Sequence, residues 1–526
     1  MDKEIKSITN HQTWELVPRP NNQKVIGSRW IFKIKRHADG SIERYKARFC
    51  AKGYTQKFGV DYNETFAPVV KHTSIRTMLS LAAKMDFEMY QFDVNTAFLY
   101  GMIDADIYME QPDGYVNEDL QDHVCKLKRS LYGTKQAARQ WNMRLHDHMK
   151  KHGFQRTDAD HCVYVRNQGK ELIAIVIYVD DLIVMAKSKT SIDEVCKQLK
   201  TEFDIKELGE VKYCLGIQVK RDRSKKTIGI NQEAMIDRVA ERFKVNESKP
   251  TYLPADANSR LTKTVAQDKE EVTKMPYREL VGSLMYIMVC TRPDISNAVG
   301  EVSKFCENFG EEHWNAALKI LKYLKTTKTL SLLFDGNTKQ AMVAYADASW
   351  ACDQDSGRSV TGYVVMVNGT SVSWKSQRQP TVAMSSTEAE YMALFAVTQE
   401  VIWMRRLLNQ VDPSKPSQVS EPTVVYQDNK STILLASNPS QHARTKHINT
   451  KFHFVRDQVN EATFKIEYKS TEDMVADILT KAVSRVKLNK HLESLGLKSS
   501  HEQSIGCYKS REGVEDDLVH PSAQDL

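Results

Sequence analysis

Two adjacent aspartates lie within the most apolar part of the chain. Asp180 and Asp181 are flanked by residues 172–179 and 182–186, which are almost entirely apolar. Neighbouring carboxylates in such surroundings repel each other and lose hydration, so they are stable only where cations neutralise them. Magnesium binds carboxylates together with phosphate oxygens, and two ions about 4 Å apart can serve a phosphoryl transfer. The pair therefore predicts a divalent-metal site; a simple Asp-Asp turn is the alternative.

The residues around this pair predict the elements that position it. Residues 172–179 and 182–186 are rich in β-formers and predict a hairpin with the carboxylates at its tip. A third carboxylate is expected from another strand, and Asp93, at the end of residues 89–94, is the candidate. Helical spacing of apolar residues predicts helices over residues 73–85, 190–203 and 232–243.

A second set of acids lies further along the chain. Four carboxylates on separate predicted elements suit a second two-metal site, here for hydrolysis of a phosphodiester. For any single acid the alternative is a solvated side chain. The acids are Asp347 on a strand, Glu388 or Glu390 on a helix over about 385–409, Asp428 after a strand over 423–427, and Asp477 on a helix over 472–481.

The elements around the second set predict a mixed sheet. Residues 342–346, 360–367 and 370–374 read as three antiparallel strands, and Asn368-Gly369 is a strong hairpin turn. Helices and strands alternate after them, which is typical of a mixed α/β sheet.

Two stretches carry an excess of cations. Residues 24–57 contain ten lysines and arginines against two acids, and their alternation predicts a β-hairpin with an Asp39-Gly40 turn. Residues 311–328 predict a helix with one apolar face and a lysine face of Lys319, Lys322, Lys325 and Lys328. Either surface could follow a nucleic-acid backbone, and a solvated face is the alternative.

Composition limits the class of protein. A chain of 526 residues with 41% hydrophobic and 27% charged residues is typical of a globular protein of three or four domains. Its net charge of +7 permits a nucleic-acid partner without establishing one. No apolar run reaches the roughly 20 residues that a bilayer span needs. We expect an intracellular protein with no membrane partner.

Several short motifs occur in a fixed order along the chain. They are Tyr45-Lys46-Ala47-Arg48, Glu64-Thr65-Phe66-Ala67-Pro68-Val69, Asp93-Val94-Asn95-Thr96-Ala97-Phe98-Leu99, Leu131-Tyr132-Gly133-Thr134-Lys135-Gln136-Ala137, Tyr178-Val179-Asp180-Asp181, Thr291-Arg292-Pro293-Asp294 and Ala476-Asp477-Ile478-Leu479-Thr480-Lys481. With them, residues 10–497 resemble the reverse transcriptase and ribonuclease H portion of copia-type LTR retrotransposon polyproteins.

The resemblance implies an α/β (α+β) fold, with a right-hand polymerase of fingers, palm and thumb followed by a ribonuclease H-like mixed-sheet domain. Asp93, Asp180 and Asp181 would hold two Mg²⁺ ions, with Mn²⁺ as a substitute. Two more ions would bind Asp347, Glu390, Asp428 and Asp477, since the family pattern favours Glu390 over Glu388. The implied substrate-binding residues are Lys46 and Arg48 for the triphosphate, with neighbouring registers open, Phe98 against a ribose 2′-hydroxyl, and Gln136 and Tyr178. Lys319 and Lys322 are added from the spacing of the lysine face, as contacts to the nucleic-acid backbone. The implied location is a cytoplasmic virus-like particle or the nucleus.

The implied organisation has four parts: residues 1–250 for fingers and palm, 251–338 for thumb and connection, 339–485 for ribonuclease H, and a partly disordered tail over 486–526. The expected partners are an RNA template, a DNA primer, an RNA/DNA hybrid, deoxynucleoside triphosphates and other polyprotein products. The expected function is RNA- and DNA-templated DNA synthesis with cleavage of the RNA strand. Alternatives are a silent nucleic-acid-binding remnant, or activity in the ribonuclease H half alone.

Two departures from the family pattern bear on these expectations. Ser349 stands where family members often carry a second acid two residues after Asp347. Glu467 stands where many ribonucleases H keep a mobile histidine, so product release by that histidine is not expected here. Protease, zinc-knuckle and integrase motifs do not occur in the sequence, which leads us to expect a fragment, a processed product or a decayed copy.

Replacing Phe98 with valine should let ribonucleotides enter a growing strand, because the smaller side chain opens space at the sugar 2′ position. Primer extension with ribonucleoside triphosphates measures this. Unchanged discrimination would mean that Phe98 only packs in the core.

Overall fold

The computed structural model describes residues 1–36, 41–168, 171–257, 261–263, 275–340, 342–412, 421–437 and 449–499. These residues form two units. The first comprises Met1–Ile75, Phe87–Val211 and Gln410–Asp412, and the second comprises the other described residues. The predicted four-part division stays a prediction. In the described ranges, no helix has the length and apolar character needed to cross a membrane.

A six-stranded antiparallel sheet forms the centre of the first unit. The predicted hairpin is confirmed and supplies its two middle strands, whose side chains are buried on both faces except at the ends. The apolar run around Asp180 and Asp181 thus reflects a sheet covered on both sides. In spatial order the strands are Ile205–Glu210, Glu88–Val94, Asp181–Ala186, Glu171–Tyr178, Val163–Gln168 and Gln155–Arg156.

The remaining elements of the first unit surround this sheet. A four-stranded sheet contains Trp14–Pro18, His123–Leu127, Tyr108–Met109 and Val25–Ile26. Helices include Asp2–Asn10, Ala137–Lys151, Lys189–Lys200 and the start of His72–Met85, with 3₁₀ turns at Gly53–Thr55, Ala97–Tyr100 and Glu118–Leu120.

The predicted basic hairpin is confirmed as the strands Ser28–Arg36 and Ile42–Ala51. Its turn residues Asp39 and Gly40 lie outside the described residues. Arg29, Lys33 and Arg44 are exposed, as predicted, but so are the apolar side chains of Phe32 and Tyr45. The hairpin therefore exposes aromatic as well as cationic groups.

Two five-stranded sheets belong to the second unit. The first contains Tyr213–Cys214, Ile217–Asp222, Thr227–Asn231, Leu330–Asp335 and Leu497–Ser499. The second, in spatial order, contains Thr370–Arg378, Val360–Val367, Val343–Ser349, Thr423–Gln427 and Phe464–Tyr468. Its first three strands are antiparallel and its last two are added in parallel, so the predicted mixed sheet is confirmed. Asn368 and Gly369 both have positive φ, which is the geometry of a tight hairpin turn.

Helices of the second unit include Glu233–Arg242, Tyr277–Cys290, Ser296–Ser303, Glu311–Thr326, Ser386–Val411, Lys430–Ser437, Asn449–Asn460 and Arg485–Ser494. A short 3₁₀ turn occupies Pro293–Ile295.

The predicted helix over residues 472–481 is wrong. Two 3₁₀ turns, Thr471–Asp473 and Val475–Leu479, replace it, and Met474 between them has an extended backbone. All five residues of the second turn are buried, so the segment has no solvent-facing side on which an amphipathic helix could be placed. Residues 486–499 of the predicted tail are folded as the helix Arg485–Ser494 and a strand paired with Leu330–Asp335. Later tail residues lie outside the described part.

A buried ion pair ties together the helices that precede the second sheet. Arg292 donates two hydrogen bonds to Asp294, at 2.9 and 2.6 Å, and both side chains are almost fully buried. The Tyr323 hydroxyl donates to the same carboxylate at 2.7 Å, and Arg292 also donates to Thr327 Oγ1 at 2.7 Å. Full use of the donors and acceptors is what makes such a buried pair tolerable.

Asp294→Asn should lower the free energy of unfolding by about 3–5 kcal/mol, because it leaves the buried Arg292 guanidinium without a counter-charge. Urea denaturation measures the change. Asp473→Asn is the matched control: its ion pair with Lys490 is exposed on both sides and should contribute about 0–1 kcal/mol. Equal effects of the two substitutions would contradict the assignment.

Candidate active sites

The Asp180-Asp181 pair lies in a strained turn. Strand Glu171–Tyr178 ends just before Val179, and the returning strand begins at Asp181. Val179 has a φ of 58°, a left-handed conformation that is unfavourable for a β-branched residue. The indole nitrogen of Trp141, a buried residue on helix Ala137–Lys151, donates a 2.7 Å hydrogen bond to the Val179 carbonyl. Trp141 therefore holds the turn in its strained conformation.

The sheet brings Asp93 next to this turn. Asp93 is the register partner of Asp181 on the neighbouring strand, and the Val94 amide donates to the Asp180 carbonyl at 2.9 Å. The Gln91 side-chain amide donates to Asp181 Oδ1 at 3.2 Å. All three carboxylates are half-buried. The predicted acids are thus brought together at the ends of neighbouring strands inside the sheet, as the sequence indicated.

Aromatic and cationic groups lie beside these carboxylates. Phe98, on the 3₁₀ turn Ala97–Tyr100, has its ring 5.0 Å from that of Tyr132, and the Arg48 guanidinium lies 4.9 Å from the Tyr132 ring centre. Burial raises the pKa of the Tyr132 hydroxyl to about 12, with Arg48 opposing the shift and Asp180 and Asp93 adding to it. The charges of Arg48, Asp93 and Asp180 therefore all act on the surroundings of Tyr132. Sequence reasoning missed Tyr132 and Trp141, although Tyr132 stands in a quoted motif.

The other predicted substrate-binding residues of the first unit have different surroundings. Lys46 is half-buried two residues before Arg48 on the same strand, and Tyr178 is the register partner of Asp181. Gln136 is fully buried: its amide nitrogen donates to the Asp61 carbonyl at 2.9 Å, and its oxygen accepts from Gln56 at 3.1 Å. Both ends of the Gln136 amide are thus used inside the fold, which indicates a positioning role rather than substrate contact.

The lysine face of helix Glu311–Thr326 is largely neutralised. Lys319 pairs with Asp256, and Lys325 pairs with Asp237 at 2.6 Å. Lys328, just past the helix, pairs with Asp237 at 2.8 Å. Lys322 is half-buried on the same helix. The predicted backbone-binding role of Lys319 and Lys322 stays a prediction, and the ion pairs weaken its basis.

Three acids of the second set converge. Oxygen atoms of Asp347, Glu390 and Asp428 all lie within 4.8 Å of one another. In the described ranges no other set of three acids comes this close, and this includes Asp93, Asp180 and Asp181. Asp347 ends its strand, Glu390 lies on the first turns of helix Ser386–Val411, and Asp428 follows the strand Thr423–Gln427.

Burial and mutual repulsion make this triad a fit for a divalent cation. Burial, and then the charge of Asp477, raises the pKa of Asp347 to about 7, against a hydrogen bond from Thr480. Burial and the charges of Asp347 and Asp428 raise the pKa of Glu390 well above its usual value. Glu390 Oε2 is buried without a hydrogen-bond partner. A bound cation would satisfy this oxygen and relieve the repulsion.

Glu388 has a different task. Its carboxylate accepts a hydrogen bond from the Met384 amide at 2.9 Å, and its own amide donates to Ser385 Oγ at 3.2 Å. This is a capping arrangement at the start of helix Ser386–Val411. The geometry thus places Glu390, and not Glu388, with Asp347 and Asp428.

Asp477 is close enough for its charge to act on Asp347, but it is not among the three acids that converge. It is completely buried, and its carboxylate forms ion pairs with Lys481 at 2.5 Å and Lys487 at 2.9 Å. The sequence grouped Asp477 with the other three acids but did not identify Lys487, which stands just beyond the predicted domain boundary.

The chain has two carboxylate sites on two mixed α/β units, and comparison with known proteins gives its family. Residues 11–257 match the family described as reverse transcriptase (RNA-dependent DNA polymerase). A retrovirus-related Pol polyprotein of transposon TNT 1-94 from Nicotiana tabacum is 42% identical over 505 residues, covering 95% of this chain and 38% of that polyprotein.

Two further relatives agree. The Pol polyprotein of transposon RE1 from Arabidopsis thaliana is 37% identical over 94% of this chain and 33% of its own length. The putative transposon Ty5-1 protein of Saccharomyces cerevisiae is 34% identical, and the match covers its whole length and 59% of this chain. The chain belongs to the reverse transcriptase family of copia-type retrotransposon Pol polyproteins. It spans 38% and 33% of the length of the tobacco and Arabidopsis relatives.

Trp141→Phe should slow primer extension about tenfold while lowering stability by only about 1 kcal/mol, because packing is kept and one hydrogen bond to the strained turn is lost. Single-turnover extension and thermal denaturation measure the two effects. Trp374→Phe is the matched control, since it removes an indole hydrogen bond to the Met288 carbonyl in the second unit. If both variants extend primers at the parent rate, Trp141 does not position the turn.

Proposed function

We propose that this chain is an RNA- and DNA-templated DNA polymerase that also cleaves the RNA strand of RNA/DNA hybrids. The observation that carries the proposal is the presence of two separate carboxylate sites, one in each unit, in a chain of the reverse transcriptase family. Two sites on different units suit two separable reactions at phosphorus.

The polymerase site would use Asp93, Asp180 and Asp181 as ligands for divalent metal, the kind of cofactor that reverse transcriptases and ribonucleases H generally use. Bound ions would activate the primer 3′-hydroxyl and neutralise the triphosphate. Gln91 orients Asp181 through its 3.2 Å hydrogen bond, and Trp141 fixes the Asp180 turn. The identity and number of the ions belong to this proposal.

The groups around Tyr132 suit the incoming nucleotide. The Arg48 guanidinium, over the Tyr132 ring, offers positive charge close to the carboxylates, where a triphosphate would bring negative charge. Lys46 lies on the same strand and would add to it. Phe98, held by its ring contact with Tyr132, would form the wall against which the sugar 2′ position packs.

The nuclease site would use Asp347, Glu390 and Asp428 to bind a divalent cation beside a scissile phosphodiester of the RNA strand. When bound, the cation would supply Lewis-acid activation of water and of the phosphate. Thr480 donates a hydrogen bond to Asp347 and so fixes the orientation of this buried carboxylate. Nucleic acid and deoxynucleoside triphosphates are the proposed partners.

Asp180→Asn should abolish primer extension on an RNA template and leave hybrid cleavage nearly intact, whereas Asp347→Asn should do the reverse. The reason is that the two substitutions alter metal sites on different units. Gel assays with a labelled primer and with a labelled RNA strand measure both reactions on the same preparations, and excess EDTA should stop both.

Asp193→Asn is the matched control. Asp193 pairs with Lys189 on an exposed helix surface and belongs to neither carboxylate site. Loss of both reactions through one site substitution, in a folded protein, would refute the separation. A folded parent chain that binds hybrid but performs neither reaction would favour the alternative of a silent nucleic-acid-binding remnant.

A further inference from the structure

The fourth acid of the nuclease region is held by two lysines. Asp477 lies 2.5 Å from the Lys481 ammonium and 2.9 Å from that of Lys487, on helix Arg485–Ser494. Neither Asp477 oxygen has a hydrogen bond of good geometry in addition to these ion pairs. The Asp477 carboxylate is therefore held by charge attraction to the two ammonium groups and not by directional hydrogen bonds. Another cation could replace an ammonium group there.

Two threonines connect this arrangement to the triad. Thr471 Oγ1 donates a 2.7 Å hydrogen bond to Asp428 Oδ2, while the Thr471 carbonyl accepts from the Lys487 ammonium at 3.0 Å. The Thr480 hydroxyl donates to Asp347, and Thr480 immediately precedes Lys481. Lys487 is thus bound to the threonine that contacts Asp428, and Lys481 directly follows the threonine that contacts Asp347.

The formal charges of this region favour one divalent cation over two. Four carboxylates and two ammonium groups leave two negative charges, which one divalent cation neutralises. A second cation would have to compete with Lys481 and Lys487 for Asp477, unless a bound substrate phosphate supplies further negative charge. At ion-pair distance this competition is substantial even in a partly hydrated site.

We propose that Lys481 and Lys487 withhold Asp477 from the triad, so that the resting nuclease site binds one divalent cation tightly and a second one weakly. The inference rests on the proposed function, because it takes the triad as a cation site. It makes the two lysines positioning residues that set the affinity for the second ion and do not touch the reacting atoms.

Mn²⁺ binding followed by electron paramagnetic resonance tests this inference directly. The titration is performed on the full chain with Asp180→Asn and Asp181→Asn, so that the polymerase site does not contribute. We expect one tight site, which a further Asp347→Asn removes, and a second weak site. Adding Lys487→Met should strengthen the second site about tenfold, which corresponds to about 1.4 kcal/mol. Lys487→Arg should retain the weak binding of the parent.

Lys490→Met is the matched control, because Lys490 lies on the same helix but pairs with the exposed Asp473. It should change neither site. Lys481→Met is a second variant for the case that Lys487→Met does not fold, since half of the Lys481 side chain is exposed. In either lysine variant, Mn²⁺ should also raise the unfolding temperature more than it does in the parent, because the ion replaces a lost counter-charge of Asp477.

The outcomes separate the two levels of the proposal. A parent without a tight site that depends on Asp347 would refute the cation site, and with it this part of the proposed function. A tight site that is present while both lysine variants leave the second site unchanged would overturn only the role of the lysines. Two equally tight ions in the parent would overturn it as well.

Discussion

Repulsion between carboxylates that the fold brings together is the constraint on which both candidate sites depend. Asp347, Glu390 and Asp428 come from three elements, and each is held by the sheet or helix on which it lies. Burial, together with the charges of neighbouring carboxylates, raises the pKa of Asp347 and Glu390. The stability of the surrounding sheet has to offset this cost. Asp93, Asp180 and Asp181 are half-buried and more widely spaced than this triad.

The sequence predicts best the features that depend on local pattern. The apolar runs on either side of Asp180 and Asp181 are strong enough to predict two strands. Asn368-Gly369 predicts a turn, because both residues readily adopt positive φ. The sequence also predicts that the Thr370–Arg378 sheet contains both parallel and antiparallel strands, because strand and helix patterns alternate clearly after residue 374. The sequence alone therefore places these acids at strand ends.

Features that depend on tertiary contacts could not be predicted in this way. Residues 472–481 are predicted to form one helix, but Val475–Leu479 form a 3₁₀ turn that is buried on all sides, and the local sequence pattern does not indicate this burial. The choice between Glu388 and Glu390 depended on a family pattern and not on periodicity, since both lie on the first turns of one helix. Lys487 could not be linked to Asp477 because ten residues and a change of element separate them. No motif in the sequence marks Trp141, and only its hydrogen bond to the Val179 carbonyl distinguishes it from other buried residues.

The ion pairs on helix Glu311–Thr326 have a consequence for how the chain would respond to ionic strength. A lysine that already neutralises an aspartate releases few condensed counterions when a phosphate approaches, so Lys319 and Lys325 would add little to the salt dependence of nucleic-acid binding. The exposed cations of the hairpin Ser28–Arg36 and Ile42–Ala51 lie next to exposed aromatic rings. The amino-terminal hairpin would therefore contribute more to the salt dependence of nucleic-acid binding than this helix, and its exposed aromatic rings offer surfaces on which bases can stack.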